Sequence, residues 1–324
     1  MIERAVTILA LGATASAAVA AVGCGDAAGT EPAAAPAATA AVDPWAPPVP
    51  PAAPLVEYGP RTIEHGADPS VFTLQDAGAP ADRRVLRYKL RAGMRDDFEI
   101  ALEAMTYSAW HPRVTMFGSS EITAIDDQGM IHMRSRVSRI IVDRGRSDGT
   151  EVAQLQAVHD RVVGLGLEAV FDARGIQQRE TITVPHADTK QEVIDPLTWY
   201  LGSPDWLPEE AVGIGARWSK TQTIDRPDDV TARTATWELV GHRGDVLEIR
   251  GTTSDSGSQY SAVSTSSHGE FSSTTDLATL GKSGHGLLRG EYRVRYGGEL
   301  HVIEGGTEAV QQFRPARAAG HQAH

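Results

Sequence analysis

The stretch RRVLRYKLRAGMRDDFEIALEAMTY, residues 83–107, sets the expected fold class. Val85, Arg87, Lys89 and Arg91 alternate with Arg84, Leu86, Tyr88 and Leu90, and Ala92-Gly93 then breaks the run. Beyond the break, Phe98, Ile100, Leu102 and Ala104 share one parity, and Asp97, Glu99 and Glu103 the other. Side chains alternate across a strand, so a period of two marks a β-strand with one buried face. The spacing predicts a hairpin with one wet side.

The plan recurs along the chain. EITAIDDQGMIHMRSRVSRIIV (121–142) turns at Asp126-Asp127-Gln128-Gly129, and LEAVFDARGIQQRETITV (167–184) turns at Asp172-Ala173-Arg174-Gly175. TATWELVGHRGDVLEIRGTT (234–253) turns at His242-Arg243-Gly244-Asp245, and GEYRVRYGGELHVIEGG (290–306) at Gly297-Gly298. Glycine supplies the positive φ that such loops need. Two segments read as helices. In TEVAQLQAVHDRVVG (150–164), Val152, Leu155, Val158 or His159, and Val162 fall on one stripe, with Thr150 as the cap. DTKQEVIDPLTWYLGSP (188–204) starts a helix at Asp188 that bends or stops near Pro196. The expectation is a mainly β (α+β) domain: long antiparallel hairpins forming a curved sheet or partial barrel, with one or two helices. Val163-Gly164-Leu165-Gly166 echoes Val212-Gly213-Ile214-Gly215, as a duplicated β-unit would. Four residues in a chain with 32 glycines are also within the reach of chance.

The amino terminus carries a different message. Arg4 precedes an uncharged, apolar or small run from Ala5 to Val22, the layout of a secretory signal. Ala21-Val22-Gly23-Cys24 follows and resembles the bacterial lipobox, with alanine where leucine is usual. Cys24 is the only cysteine in the chain. The resemblance implies a signal peptide over 1–23 and a Cys24 that carries lipid, palmitate among its chains. Three other readings compete, one of them that Cys24 is incidental. A transmembrane anchor is disfavoured by the small residues of the run, and a plain signal cut after Ala15-Ser16-Ala17 leaves Cys24 without a purpose. With no second cysteine there is no disulfide, and the fold must stand on its core.

Residues 24–54 then read as a lipidated cysteine and a disordered Ala/Pro-rich linker, extended where prolines favour polyproline II. Residues 55–82 read as a loosely ordered lead-in, 83–313 as the β-rich domain and 314–324 as a disordered tail. The location implied is the bacterial cell envelope, outside the cytoplasm, with a lipid anchor in the outer membrane favoured over the inner. A formal net charge of −12 disfavours nucleic acid and anionic lipid surfaces as electrostatic partners.

The motifs that carry chemistry are thin. Gly213-x-Gly215-x-x-Trp218 puts tryptophan where a dinucleotide fingerprint needs its third glycine. Gly281-Lys282-Ser283 lacks the upstream glycine of a P-loop, since Asp276 holds that place. No His-Glu-x-x-His or Gly-x-Ser-x-Gly pattern occurs, so no metal, cofactor or catalytic residue is assigned. Glu99 and Glu103 share a strand face but read as solvated charges. Trp199, Trp206 and Trp218 cluster in sequence, either as the wall of an apolar cavity or as a plug between helix and sheet.

LRYKLRAG (86–93) and LPEEAVGIGARW (207–218) are similar to a family of bacterial lipoproteins that pair a signal peptide and low-complexity linker with a β-rich domain. The resemblance implies no activity and carries over no catalytic residue. Three functions stay in view. The first is a non-enzymatic binding or structural module with an envelope protein as partner. The second is a carrier or sensor of a hydrophobic ligand in a half-barrel, and the third, ranked last, is a hydrolase. Each buried methylene contributes about 0.8 kcal/mol to anchoring, so two or three acyl chains hold where a thiol cannot. Replacing Cys24 with serine is therefore expected to move the protein from the membrane pellet to the soluble fraction. Retention in the pellet with the signal removed would contradict the lipid anchor.

Overall fold

The computed structural model describes residues 59–106, 109–201, 204–226, 229–259, 262–296 and 299–315. Cys24 and the Ala/Pro segment lie outside them. In chain order the strands are β1 (Arg61–His65), β2 (Val71–Asp76), β3 (Arg84–Val85), β4 (Arg95–Thr106), β5 (Ala109–Trp110), β6 (Arg113–Ile125) and β7 (Ile131–Asp143). Helix α1 (Val152–Asp160), β8 (Gly166–Phe171), β9 (Gln177–Val184) and helix α2 (Gln191–Leu201) follow. The remainder is β10 (Ala211–Val212), β11 (Arg217–Arg226), β12 (Asp229–Arg243), β13 (Val246–Gln259), β14 (Ala262–Asp276), β15 (Lys282–Tyr296) and β16 (Glu299–Pro315). Among the described residues, no helix is long and apolar enough to cross a membrane.

One antiparallel sheet of fourteen strands dominates, in the order β1-β9-β8-β7-β6-β4-β16-β15-β14-β13-β12-β11-β2, with β5 paired to β4 off that path. The two ends of the ladder do not pair with each other, so the sheet is not a closed barrel. They are nevertheless consecutive in the chain. From His65 to Val71 is six Cα steps, a reach of at most about 21 Å. Thirteen flat strands would hold their ends roughly 58 Å apart. The sheet must therefore roll until its ends almost meet. Asp68 N–H donates to the Gln177 carbonyl at 3.0 Å and extends the β1–β9 pairing, and three residues later Val71 stands opposite Thr221 of β11. A single extended segment thus serves both ends. Within the lead-in expected over 55–82, residues 61–65 and 71–76 are sheet. Its strands are only five and six residues long, and the Pro, Gly and Asp around them hide the alternation.

Rolling turns one parity of every strand inward. On β4 the expected Phe98, Ile100, Leu102 and Ala104 face in, and all are buried. Across the sheet one inner row reads Trp237, Gly251, Phe271, Gly286, Ala309 and Leu102. Large and small residues alternate from Trp237 to Gly286, so rings lie over bare backbone. A Cβ on Gly251 would sit 2.4 Å from the Phe271 ring opposite, and one on Gly118 would sit 2.2 Å from Phe98 opposite.

The β6–β7, β8–β9 and β12–β13 hairpins form as expected, with Gly129, Gly175 and Gly244 at positive φ. The turn expected at Gly297-Gly298 lies outside the described residues, between β15 and β16, which pair. The stretch 83–107 is only half a strand pair. β4 pairs with β6 and β16, whereas β3 spans two residues and pairs with β10. Leu86, Tyr88 and Leu90 are buried, Val85, Lys89 and Arg91 are exposed and Arg87 is half-buried, so the alternation is real. Yet Tyr88 N–H donates to Ala173 and Lys89 N–H to Leu277, both in connections between strands. The segment is an extended tether, and alternation recorded one buried face without strand pairing.

Helix α1 buries Leu155 and His159, but its cap is Glu151 without a side-chain bond, and the Thr150 hydroxyl donates instead to Asp148. It stands where β8 has stopped pairing with β7. The Gln156 amide accepts from Val142 N–H at 2.7 Å and donates to the Ile140 carbonyl at 3.2 Å, so a side chain continues the ladder. Helix α2 begins at Gln191, three residues after the expected start, and runs through Pro196. Burial of Val193, Ile194, Leu197 and Leu201 offsets the missing hydrogen bond. The Val-Gly-x-Gly echo is not structural: Gly164, the first glycine of one copy, and Gly215, the second of the other, hold the positive φ.

Asp96 breaks the inner apolar pattern. It is 3 % exposed, and its Oδ2 has no hydrogen-bond partner. Burial, reinforced by Asp276 and Asp97, raises its pKa from 3.8 to about 6. A raised acid binds its proton more tightly in the native state, so the stability it contributes is full below about pH 4 and is lost as pH rises through about 6. Asp96→Asn is expected to stabilise the protein by about 3 kcal/mol at neutral pH. The gain should vanish near pH 4, as read by urea unfolding at both values.

Candidate functional site

After α2 the chain dips into the rolled sheet at Asp205-Trp206. Trp206 meets Phe72 edge-on at 5.6 Å and Trp237 at 5.3 Å, and Trp237 in turn meets Phe271 at 6.3 Å. Trp218, 2 % exposed, donates its indole N–H to the Trp206 carbonyl at 2.6 Å. Asp205 fixes the dip from the other side. Its carboxylate accepts from Lys282 Nζ at 2.9 Å and Thr275 Oγ1 at 2.5 Å, and its carbonyl accepts from the Tyr88 hydroxyl at 3.1 Å. Burial pushes that phenol well above its ordinary range. Gly175 is required here. Its φ is +80°, and a Cβ would lie 2.8 Å from the Asp205 carbonyl oxygen.

A charged clasp lies beside the plug. Lys220, on the inner parity of β11, pairs with Asp68 where the two ends of the sheet meet, and both side chains are less than a tenth exposed. Lys220 Nζ also sits 2.9 Å from the centroid of the Trp206 ring. Burial lowers its pKa to about 8, with Asp68 opposing the shift and Arg233 adding to it. Arg233 itself forks onto Asp255 at 2.8 and 3.1 Å. Toward the hairpin tips, the inner face becomes small and then polar. One row holds Arg233, Asp255, Ser267, Gly290, Gly305 and Thr106.

At the far end of that row lies a second cluster. His111 Nδ1 is 3.0 Å from Glu151 Oε2, and its Nε2 is 3.1 Å from Thr106 Oγ1. With the carboxylate ionised, Nδ1 donates and Nε2 is left to accept the hydroxyl proton. His111 lines a pocket of about 10 Å³ with Leu102, Ala104, Pro112, Val114, Leu155, His159 and Leu197. His159, 1 % exposed, donates Nδ1–H to the Leu155 carbonyl at 2.8 Å, and burial holds its pKa below the ordinary value.

The structure brings Trp206 and Trp218 together. Trp199 lies on α2, and its side chain falls outside what the structure describes, as does Cys24. Of the two strand-face glutamates, Glu99 is exposed as expected. Glu103 is not solvated: it is 8 % exposed and pairs with Arg146 and Arg113. Among the described residues no group of three or more His, Cys, Asp or Glu is placed to hold a metal. The sequence reading missed Lys220 and the Thr106–His111–Glu151 cluster. Lys220 had a signal, since it shares the inward parity of Trp218. The cluster had none, as Glu151 is 40 residues from His111 and the two meet only through the fold. Compared with known proteins, the chain matches no family model, no curated protein and no solved structure.

Breaking a buried ion pair from one side leaves the other charge uncompensated. Lys220→Met is expected to lower stability by about 3–5 kcal/mol, and the double variant Lys220→Met/Asp68→Leu by clearly less. Urea unfolding of the two variants checks the order.

Proposed function

We propose that this protein is a lipid-anchored module of the bacterial cell envelope, exported and held at a membrane through Cys24. The outer membrane is favoured. Its β-domain is a binding or structural module that stands off the surface on the Ala/Pro segment and meets an envelope partner with its exterior and rim. The observation that carries this reading over a hydrophobic-ligand carrier is the plug. Trp206, Trp218, Trp237 and Phe271 fill the inner face where a lipid chain would need room. Beyond the aromatic row the inner face presents Arg233, Asp255 and Ser267, a poor lining for an acyl chain.

Residues 55–324, exported with a cleavable signal and purified without detergent, are expected to give the mass of the polypeptide alone in native mass spectrometry. Their organic extract should hold no stoichiometric lipid. A bound lipid in equimolar amount would instead make the protein a carrier.

A further inference from the structure

The Thr106–His111–Glu151 cluster has more order than packing requires. A hydroxyl, an imidazole and a carboxylate stand in line at 3.1 and 3.0 Å, the spacing by which a base activates a nucleophile while a third group orients the base. Thr106 is the last residue of β4 and faces inward. The next two residues in its row are Gly305 and Gly290, so bare backbone lies beside the hydroxyl where side chains would otherwise stand. The imidazole opens onto the apolar pocket at Ala104 and Leu155. We propose that Thr106, His111 and Glu151 form an acyl-transfer site for esters of the smallest acyl groups. Thr106 Oγ1 is the nucleophile, His111 Nε2 the base, and Glu151 the positioning residue.

The chemistry balances with water as the only co-reactant. Thr106 Oγ1 bonds to the acyl carbon as its proton passes to His111 Nε2. The same proton goes to the departing alkoxide as the ester C–O bond breaks. Water then gives a proton to His111, attacks the acyl-threonine and releases the carboxylic acid, and the proton returns to Thr106. The limit on acyl size follows from the site. Thr106 is 6 % exposed, and the pocket of about 10 Å³ beside it is lined by its base His111 and not by Thr106 itself, so only the smallest acyl group has access to the hydroxyl. The activity goes beyond the tethered-module reading and stands or falls apart from it, since neither Cys24 nor the plug takes part.

The test uses the full chain and methanesulfonyl fluoride, a probe that loses fluoride when an activated hydroxyl attacks its sulfur. Wild-type protein is expected to gain one methanesulfonyl group, mapped to Thr106 by peptide mass spectrometry. General-base assistance accounts for about 10²–10⁴ in rate, so His111→Ala, with near-UV circular dichroism unchanged, should label at least about 100-fold more slowly. Glu151→Gln should slow labelling with near-UV circular dichroism unchanged, and Glu151→Asp, which keeps the carboxylate, should recover part of the rate, which a merely structural contact would not do. The wild type alone decides the main point. An unmodified Thr106, or labelling elsewhere in the chain, overturns the proposal, as does wild-type labelling in His111→Ala.

Discussion

Everything in this structure depends on a short reach. Five residues, Gly66 to Ser70, lead from one end of a thirteen-strand ladder to the other. No flat or gently twisted sheet satisfies that constraint, so the ladder rolls, and rolling creates an inside. The Asp68–Lys220 pair stands where the ends meet, in a place that neither end could build alone. A buried ion pair is weak evidence for stability. Here it marks the register at which the ends come together.

A rolled sheet of this width encloses more volume than its own inward side chains fill. The chain supplies the remainder from its connections: the tether at Leu86–Leu90, the two helices and the dip at Asp205-Trp206. The hydrogen bonds that hold these pieces go to turns and edges. The interior is thereby taken up by the protein itself, and toward the rim the inner rows become small and polar.

Much of this was legible in the sequence. Parity placed Phe98, Ile100, Leu102 and Ala104 correctly, and glycine-bearing turns placed three hairpins, because both signals are local. What failed was non-local. Residues 84–91 alternate as a strand does, but alternation reports one buried face, and only the partner decides between strand and tether. Residues 61–76 were passed over because pairing with β9 and β11, more than a hundred residues away, orders them. Helix α2 ran past Pro196 because tertiary burial outweighed a local rule. Of the candidate tryptophans, Trp206 and Trp218 do meet. The Thr106, His111 and Glu151 side chains carried no spacing that could have joined them.

The continuity of β1 and β2 also imposes an order in time. Residues 61–76 are among the earliest of the domain to be made, yet β9 and β11 must exist before either half has a strand to join. Loop-closure entropy makes such distant pairings slow relative to local ones. The hairpins between them can assemble from neighbours, one after another, as each is completed. The segment synthesised first is thus placed last, like a latch on a curtain that must be drawn before it can be fastened.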